Sequence, residues 1–289
     1  MNYRHAFHAG NHADVFKHVL LIALLQAMRR KPAPFAVLDT HAGRGRYTMD
    51  SGEARRTAEA EGGVKRLLSA QQSVEPDALV RYREILRALN PDGTLRIYPG
   101  SPLLIAKMLR DQDRLACCEM QPVEAAALAN VFDRESRVAV HQRDGYAAIS
   151  ALLPLKSGGK AIARTLVLID PPYEAQDAEF DHAIAALKGG LARVPQAVFA
   201  LWYPIKQRRT LHNFLRRASS LPASDSWIAE LLIRPDDSPL RMNGSGLLVL
   251  NPPWQLDTEV NELLPSLHAA LGEDGASTRL QWLKGGQVP

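Results

Sequence analysis

Cysteine is almost missing from this sequence. Two occur in 289 residues, adjacent at Cys117 and Cys118 behind an apolar run, so no disulfide framework can staple the fold and reduced thiols are expected. Long apolar runs are missing as well. The run over 19–25 is too short to cross a bilayer and follows Lys17 and His18. The chain is therefore expected to carry no export leader, to have no membrane partner and to work in the cytoplasm. A strong excess of one charge is also lacking, because 35 basic residues face 31 acidic ones for a net +4. This mild excess suits a polyanion such as RNA without demonstrating one, and binding would need local clusters. There is no internal repeat, low-complexity tract or long charge block, which excludes repeat arrays and charged tails. What remains is enough chain for one large α/β domain with a substantial core.

Short apolar runs that end on glycine or acid are what the sequence does contain. Phe35-Ala36-Val37-Leu38-Asp39 reads as a buried strand running into Thr40-His41-Ala42-Gly43-Arg44-Gly45, where glycines let the backbone approach a ligand closely. A plain dinucleotide unit would meet a ribose-binding acid about 20 residues later. Here the next strand with an acidic end, Leu115-Ala116-Cys117-Cys118-Glu119, lies far beyond that. Ser101 and Pro102 make a good cap and first residue for a helix over Leu103-Leu104-Ile105-Ala106-Lys107-Met108-Leu109. Counted from Ser101, Glu119 falls at about the ordinary spacing. The reading is therefore a main domain of residues 1–45 and 99–289, interrupted by a helical insertion over 46–98 with helical patterns at 63–70 and Asp77–Leu89. Arg55, Arg56, Lys65, Arg66, Arg81, Arg83 and Arg87 concentrate in that insertion, which makes it a candidate nucleic-acid docking element.

The remaining chemistry follows in chain order. Glu119 can accept both hydroxyls of a ribose with its two oxygens. Val138-Ala139-Val140 leads to Asp144-Gly145, where Asp144 can accept the exocyclic amine of an adenine. Leu166-Val167-Leu168-Ile169 empties into Asp170-Pro171-Pro172-Tyr173. In that turn, Asp170 and the Pro171 carbonyl can accept two amine protons while Tyr173 stacks on the ring. Two prolines have fixed φ and no N–H, so the turn is stiff. As a bare motif it is equally a strand-ending turn. A glycine loop, an acid for ribose, an acid for adenine and a proline-rich amine reader, in that order, fit a methyltransferase that uses S-adenosylmethionine. A nicotinamide oxidoreductase would want the plain loop without the 46–98 excursion.

Two other segments compete for a role. Tyr3, His5, His8, His12 and His18 crowd the start, but without a cysteine or a His-Glu-x-x-His pattern they are read as a polar loop over the site, and no metal is expected. A helix is predicted over 14–28, capped by His12 or Asp14, with Lys17 either gating the cofactor pocket or lying on a solvated face. Asn251-Pro252-Pro253-Trp254 repeats the proline turn after Leu247-Leu248-Val249-Leu250. Its place after an antiparallel terminal hairpin with 228–233 assigns Trp254 to packing or edge covering and leaves the chemistry to Asp170. Lys206, Arg208 and Arg209 follow the strand at Leu201-Trp202-Tyr203-Pro204 as a phosphate-contacting loop.

On Tyr3-Arg4-His5-Ala6-Phe7-His8-Ala9-Gly10-Asn11-His12-Ala13-Asp14-Val15, Leu38-Asp39-Thr40-His41-Ala42-Gly43, Tyr98-Pro99-Gly100-Ser101-Pro102, the Asp170 turn, Ala200-Leu201-Trp202-Tyr203-Pro204 and Asn251-Pro252-Pro253-Trp254, the chain resembles bacterial 23S ribosomal RNA adenine-N6 methyltransferases along essentially its whole length. The resemblance implies an α/β, Rossmann-like class I S-adenosylmethionine-dependent methyltransferase fold with a small helical insertion subdomain. It implies methyl transfer to N6 of one adenine in 23S ribosomal RNA. By matching position it implies that His18, His41, Ser101, Glu119, Asp144 and Gly145 contact S-adenosylmethionine, and the glycine loop read above adds Gly43. Asp170, with Pro171 and Tyr173, would handle the amine, and Tyr3 would meet the RNA. Gly43-Arg44-Gly45 departs from the family's usual loop by adding a cation. A monomer without a stable protein partner is expected. The competing readings are a DNA adenine-N6 methyltransferase and a non-enzymatic RNA-binding protein.

Overall fold

The computed structural model describes residues 8–49, 59–70, 74–174, 176–240 and 242–286. Tyr3 and His5, and Arg55 and Arg56 of the insertion, lie outside them. Eight strands form the main sheet: β1 (Phe35–Asp39), β2 (Arg114–Glu119), β3 (Val138–Gln142), β4 (Arg164–Ile169), β5 (Val198–Ile205), β6 (Ser226–Leu232), β7 (Gly244–Leu250) and β8 (Ser277–Lys284). Across the sheet they run β3-β2-β1-β4-β5-β7-β6-β8. The first five of that order are parallel. β7 and β6 then form the antiparallel hairpin that the sequence predicts, and β8 closes the edge on β6. This is a Rossmann-like α/β sheet.

Both faces of β1, β2, β4 and β5 are covered, which is why they read as continuous apolar runs. Alternate residues of β1 supply two separate cores, Phe35 and Val37 on one face and Ala36 and Leu38 on the other, as the two-residue period of a strand requires. The first face carries α1 (His12–Arg29), α2 (Asp77–Leu89), α3 (Ser101–Met108), α4 (Pro122–Val131) and α8 (Leu256–Leu271). The second carries α5 (Gly145–Leu152), α6 (Gln176–Arg193) and α7 (His212–Ser219). Strand order reverses between β1 and β4, so their carboxyl ends open a crevice there.

The excursion between Gly45 and Gly100 leaves and returns at one place. Arg46–Thr48 pairs antiparallel with Ile97–Pro99, Tyr47 opposite Tyr98, and α3 begins at Ser101 with Pro102 in its first turn. Leu79, Tyr82 and Ile85 of α2 join the same core as α1. Two basic residues of this segment are committed to internal bonds, while Lys65 and Arg87 are exposed. Buried Arg83 donates to the carbonyls of Leu68 and Ala70 and pairs with Glu75 at 3.0 Å. Arg66 donates to Leu271 and Gly272. Arg66 and Arg83 therefore serve the fold.

Two local expectations need correction. α1 is capped by neither His12 nor Asp14. The Asn11 side chain accepts from the Asp14 amide at 2.9 Å, the reach of a cap to the third helical N–H, while Asp14 Oδ2 turns back to the Gly10 amide at 3.0 Å. Trp254 is not packed into the core, being 70% exposed. In that turn the structural work falls to Asn251, at φ 51°, whose side chain donates to the Pro195 and Ala197 carbonyls and accepts from the Ser224 amide, all at 2.9 Å.

The turn that caps α1 rests on Gly63, since a Cβ built there would lie 2.1 Å from the Gly10 carbonyl oxygen, whereas one on neighbouring Gly62 meets nothing within 4 Å. Gly63→Ala is expected to cost more than about 2 kcal/mol in urea unfolding, because backbone must move on backbone. Gly62→Ala should be neutral within about 0.5 kcal/mol. Equal effects of the two would show that the close approach does not hold the turn.

Candidate active site

The loop after β1 is fixed on both sides by its neighbours. The Thr40 amide donates to Leu168 of β4 at 3.0 Å and the Ala42 amide to Cys118 of β2 at 2.9 Å. That loop floors a cavity of about 1000 Å³ at the carboxyl ends of the strands. His18, His41, Gly43, Ser101, Glu119, Asp144, Gly145, Asp170, Pro171 and Tyr173 all line it. Tyr3 lies outside the described residues.

In the half around the glycine loop, Gly43 is at φ 58° and donates its amide to Glu119 Oε2 at 2.9 Å. Glu119 Oε1 accepts from the Gln121 amide at 2.7 Å. Each carboxylate oxygen thus holds one N–H and keeps capacity for a hydroxyl. Asp144 caps α5 by accepting from the Ala147 amide through Oδ1 at 2.7 Å, leaving Oδ2 for a ligand. Gly145 is required there, because a Cβ would sit 2.0 Å from the Thr40 carbonyl oxygen. Arg44, the added cation, is held by Glu124 through two bonds of 2.7 Å.

The Thr40 hydroxyl donates to the Leu168 carbonyl at 2.9 Å, so its oxygen accepts from His41 Nδ1 at 2.8 Å. That fixes the proton on Nδ1. Burial pushes His41 down to about 4, and the cavity is faced by a neutral imidazole with a free Nε2 lone pair. His18 bonds through Nδ1 to the Tyr98 hydroxyl at 2.9 Å, and Tyr98 bonds to Tyr82 at 2.9 Å. The insertion thereby orients a cavity residue on α1.

The other half is built on charge. Asp170 at the end of β4 forms an ion pair with Lys17 Nζ, which also bonds Asp14 Oδ1 at 2.9 Å. Lys17 is 4% exposed. Burial lowers its affinity for a proton, but the Asp14 and Asp170 carboxylates outweigh this and raise it overall. Of the two sequence readings of Lys17, the solvated face is excluded. Tyr173 takes the left-handed region at φ 46° and donates its hydroxyl to the Trp202 carbonyl at 2.8 Å. At the rim His8 Nδ1 contacts both Glu59 oxygens at 3.0 Å, which raises its pKa. His12 is not in this cavity. Lys206 is, but Arg208, read as part of the same phosphate loop, is bonded instead to buried Glu230 at 2.9 Å.

The sequence reading missed Asp14 and Trp202, both of which line the cavity. The i,i+3 spacing of Asp14 and Lys17 was a visible signal. The third member of that charge group is 153 positions from Lys17, and local pattern carries no trace of it.

Asp39 sits beneath the site, fully buried, with Oδ2 accepting from the Ser101 hydroxyl at 2.7 Å and Oδ1 without a partner. Burial, partly offset by the Ser101 bond, pushes it up to about 7. A carboxyl raised above its ordinary 3.8 binds its proton more tightly when folded. Its stabilising effect is therefore complete at low pH and is lost as pH rises from about 4 to about 7. The stability of Asp39→Asn relative to the parent should accordingly rise across that window, by on the order of 1 kcal/mol per pH unit. A flat difference in melting experiments would refute the shift.

Residues 32–284 match the family model described as ribosomal RNA large subunit methyltransferase D, RlmJ. The chain is 37% identical over 284 residues to ribosomal RNA large subunit methyltransferase J of Escherichia coli, across 98% of this chain and 99% of that protein. It is 38% identical over 285 residues to the Haemophilus influenzae protein of that name, again across 98% and 99%. The crystal structure of a Legionella pneumophila protein matches with a TM-score of 0.84 at 30% identity, over 95% of this chain and 98% of that one. With a site of this construction and relatives along its whole length, the chain belongs to the RlmJ family of ribosomal RNA large subunit methyltransferases.

Proposed function

We propose that this protein transfers a methyl group from S-adenosylmethionine to the N6 amine of one adenine in 23S ribosomal RNA. The observation that carries the reading is the position of Asp170. The Asp-Pro-Pro-Tyr turn and the glycine loop face one cavity from adjacent strands. An amine reader and a nucleoside site are thereby within reach of each other, in a chain of this family.

The donor set fits the cofactor. Glu119 offers one acceptor per oxygen to the ribose hydroxyls, Asp144 Oδ2 suits an adenine amine, and His41, Ser101 and His18 complete the wall. Met120 and Val123 line the same half and are exposed, at 53% and 75%. They provide an apolar surface for a purine. When bound, the cofactor supplies an electrophilic methyl on sulfur, so no covalent enzyme intermediate is required.

The protein's share of the reaction is positioning. The N6 lone pair of adenine is delocalised into its ring, and two acceptors holding the amine protons draw the nitrogen toward a tetrahedral shape. Asp170 is one acceptor and the Pro171 carbonyl the other, while Tyr173 flanks the base. The Lys17 ammonium fixes the Asp170 carboxylate and keeps it available as an acceptor. After transfer the nitrogen carries an acidic proton, which Asp170 or water can remove. An adenine in this pocket must be unpaired or flipped out of its stack.

Asp170→Ala is expected to lower turnover by at least a thousandfold while leaving cofactor affinity within about threefold. The measurement is transfer of labelled methyl to protein-free 23S RNA from cells lacking the enzyme, with nucleoside analysis of the product. Transfer only to a subunit precursor would keep the chemistry and move substrate choice to assembly. Acceptance of DNA in place of both RNAs would overturn the assignment.

A further inference from the structure

One strand carries side chains that the reading above leaves unused. β5 alternates strictly at its carboxyl end. Leu201, Tyr203 and Ile205 enter the core of the second face. Trp202, Pro204 and, just beyond the strand, Lys206 all line the cavity. Trp202 differs from Trp227, which is wholly buried, in being only partly buried, and Lys206 is exposed. At about 3.3 Å per residue, the three span roughly 13 Å from the interior to the mouth.

The inner end of this row meets the amine reader. Trp202 lies one step past the paired residues Ile169 and Leu201, beside Asp170 on the neighbouring parallel strand. The ammonium of Lys17, which bonds Asp170, lies 5.8 Å from the centroid of the Trp202 ring. The Tyr173 and Trp202 rings meet at 67° with centroids 5.7 Å apart, and the Tyr173 hydroxyl is tied to the Trp202 carbonyl. Two aromatic rings thus meet at a steep angle beside the Lys17–Asp170 pair. Tyr173 is braced from behind by Phe180 at 5.3 Å, so the corner is rigid.

We propose that the Trp202, Pro204 and Lys206 face of β5 guides the adenine-bearing RNA strand into the site, with the indole as the second wall of the base subsite and Lys206 on a flanking phosphate. The order of chemistry along the strand matches the order within a nucleotide. An aromatic face suits any base because every base has a π-face, and a cation at the mouth suits the backbone. The assignment rests on the proposed methylation of RNA and names the part of the site that would hold the strand.

The test uses the full-length protein, with methyl-transfer kinetics on 23S RNA, cofactor affinity by calorimetry, and affinity for a single-stranded adenine-containing RNA oligonucleotide. Trp202→Leu is expected to lower kcat/KM for RNA and oligonucleotide affinity by about tenfold or more, with cofactor affinity unchanged. Trp202→Phe should restore most of both. Lys206→Ala should weaken oligonucleotide binding and reduce its salt slope by about one. Should Trp202→Leu fail to fold, the Phe and Lys206 variants carry the test alone. Unaltered RNA affinity in both Trp202→Leu and Lys206→Ala would overturn the assignment, as would Trp202→Phe losing as much as Leu. A parent enzyme that binds the oligonucleotide through these residues yet methylates no RNA would sink the functional reading and keep this one.

Discussion

The buried triad of Asp14, Lys17 and Asp170 is the interaction on which the rest of this structure depends. An ammonium withdrawn from water is costly unless paired, and removing one partner of such a group typically costs about 3–5 kcal/mol. The cost is met only if α1 presents Lys17 to the end of β4, which constrains everything that places α1. Asn11 caps the helix, Asp14 holds the Gly10 amide, and Gly63 allows the insertion to close against that turn. The insertion also reaches the site directly, through the Tyr98 hydroxyl on His18 and Glu59 on His8 and Asn11, while Arg66 and Arg83 hold carbonyls.

Strand order then divides the labour. β1 and β2 hold the glycine loop and Glu119 on one side of the switch point, while β4 and β5 bring Asp170 and Trp202 to the other. The first half is neutral or hydrogen-bonded. Its imidazole is uncharged, and Glu119 accepts backbone N–H groups. The second half concentrates opposite charges against aromatic rings. This separation suits a ligand whose recognition is by hydrogen bonds on one side and an amine that must be gripped on the other.

Much of this was legible in the sequence because it is local. Strand runs, the Ser101 start of α3, the limits of α2 and the late hairpin follow from periodicity, capping and turn chemistry, and each strand end carried its candidate site residue with it. The late position of Glu119 pointed to the excursion that the pairing of Arg46–Thr48 with Ile97–Pro99 brackets. The motif residues ended up around one cavity because open α/β sheets gather the carboxyl ends of their strands at the switch point.

Local pattern failed where a side chain's partner is distant in the chain. Even locally it offered the wrong caps for α1, since Asn11, His12 and Asp14 are all polar and lie within one turn. It read the buried Arg83 as part of a surface, and the exposed Trp254 as packing, because burial is a property of the assembled layers. It left Lys17 undecided and passed over Trp202. Sequence alone determined which residues end the strands and so what chemistry the sheet edge can hold. Only the tertiary structure decided which charges are paired, because pairing across 153 positions is set by how α1 lies against β4, and no local preference encodes that.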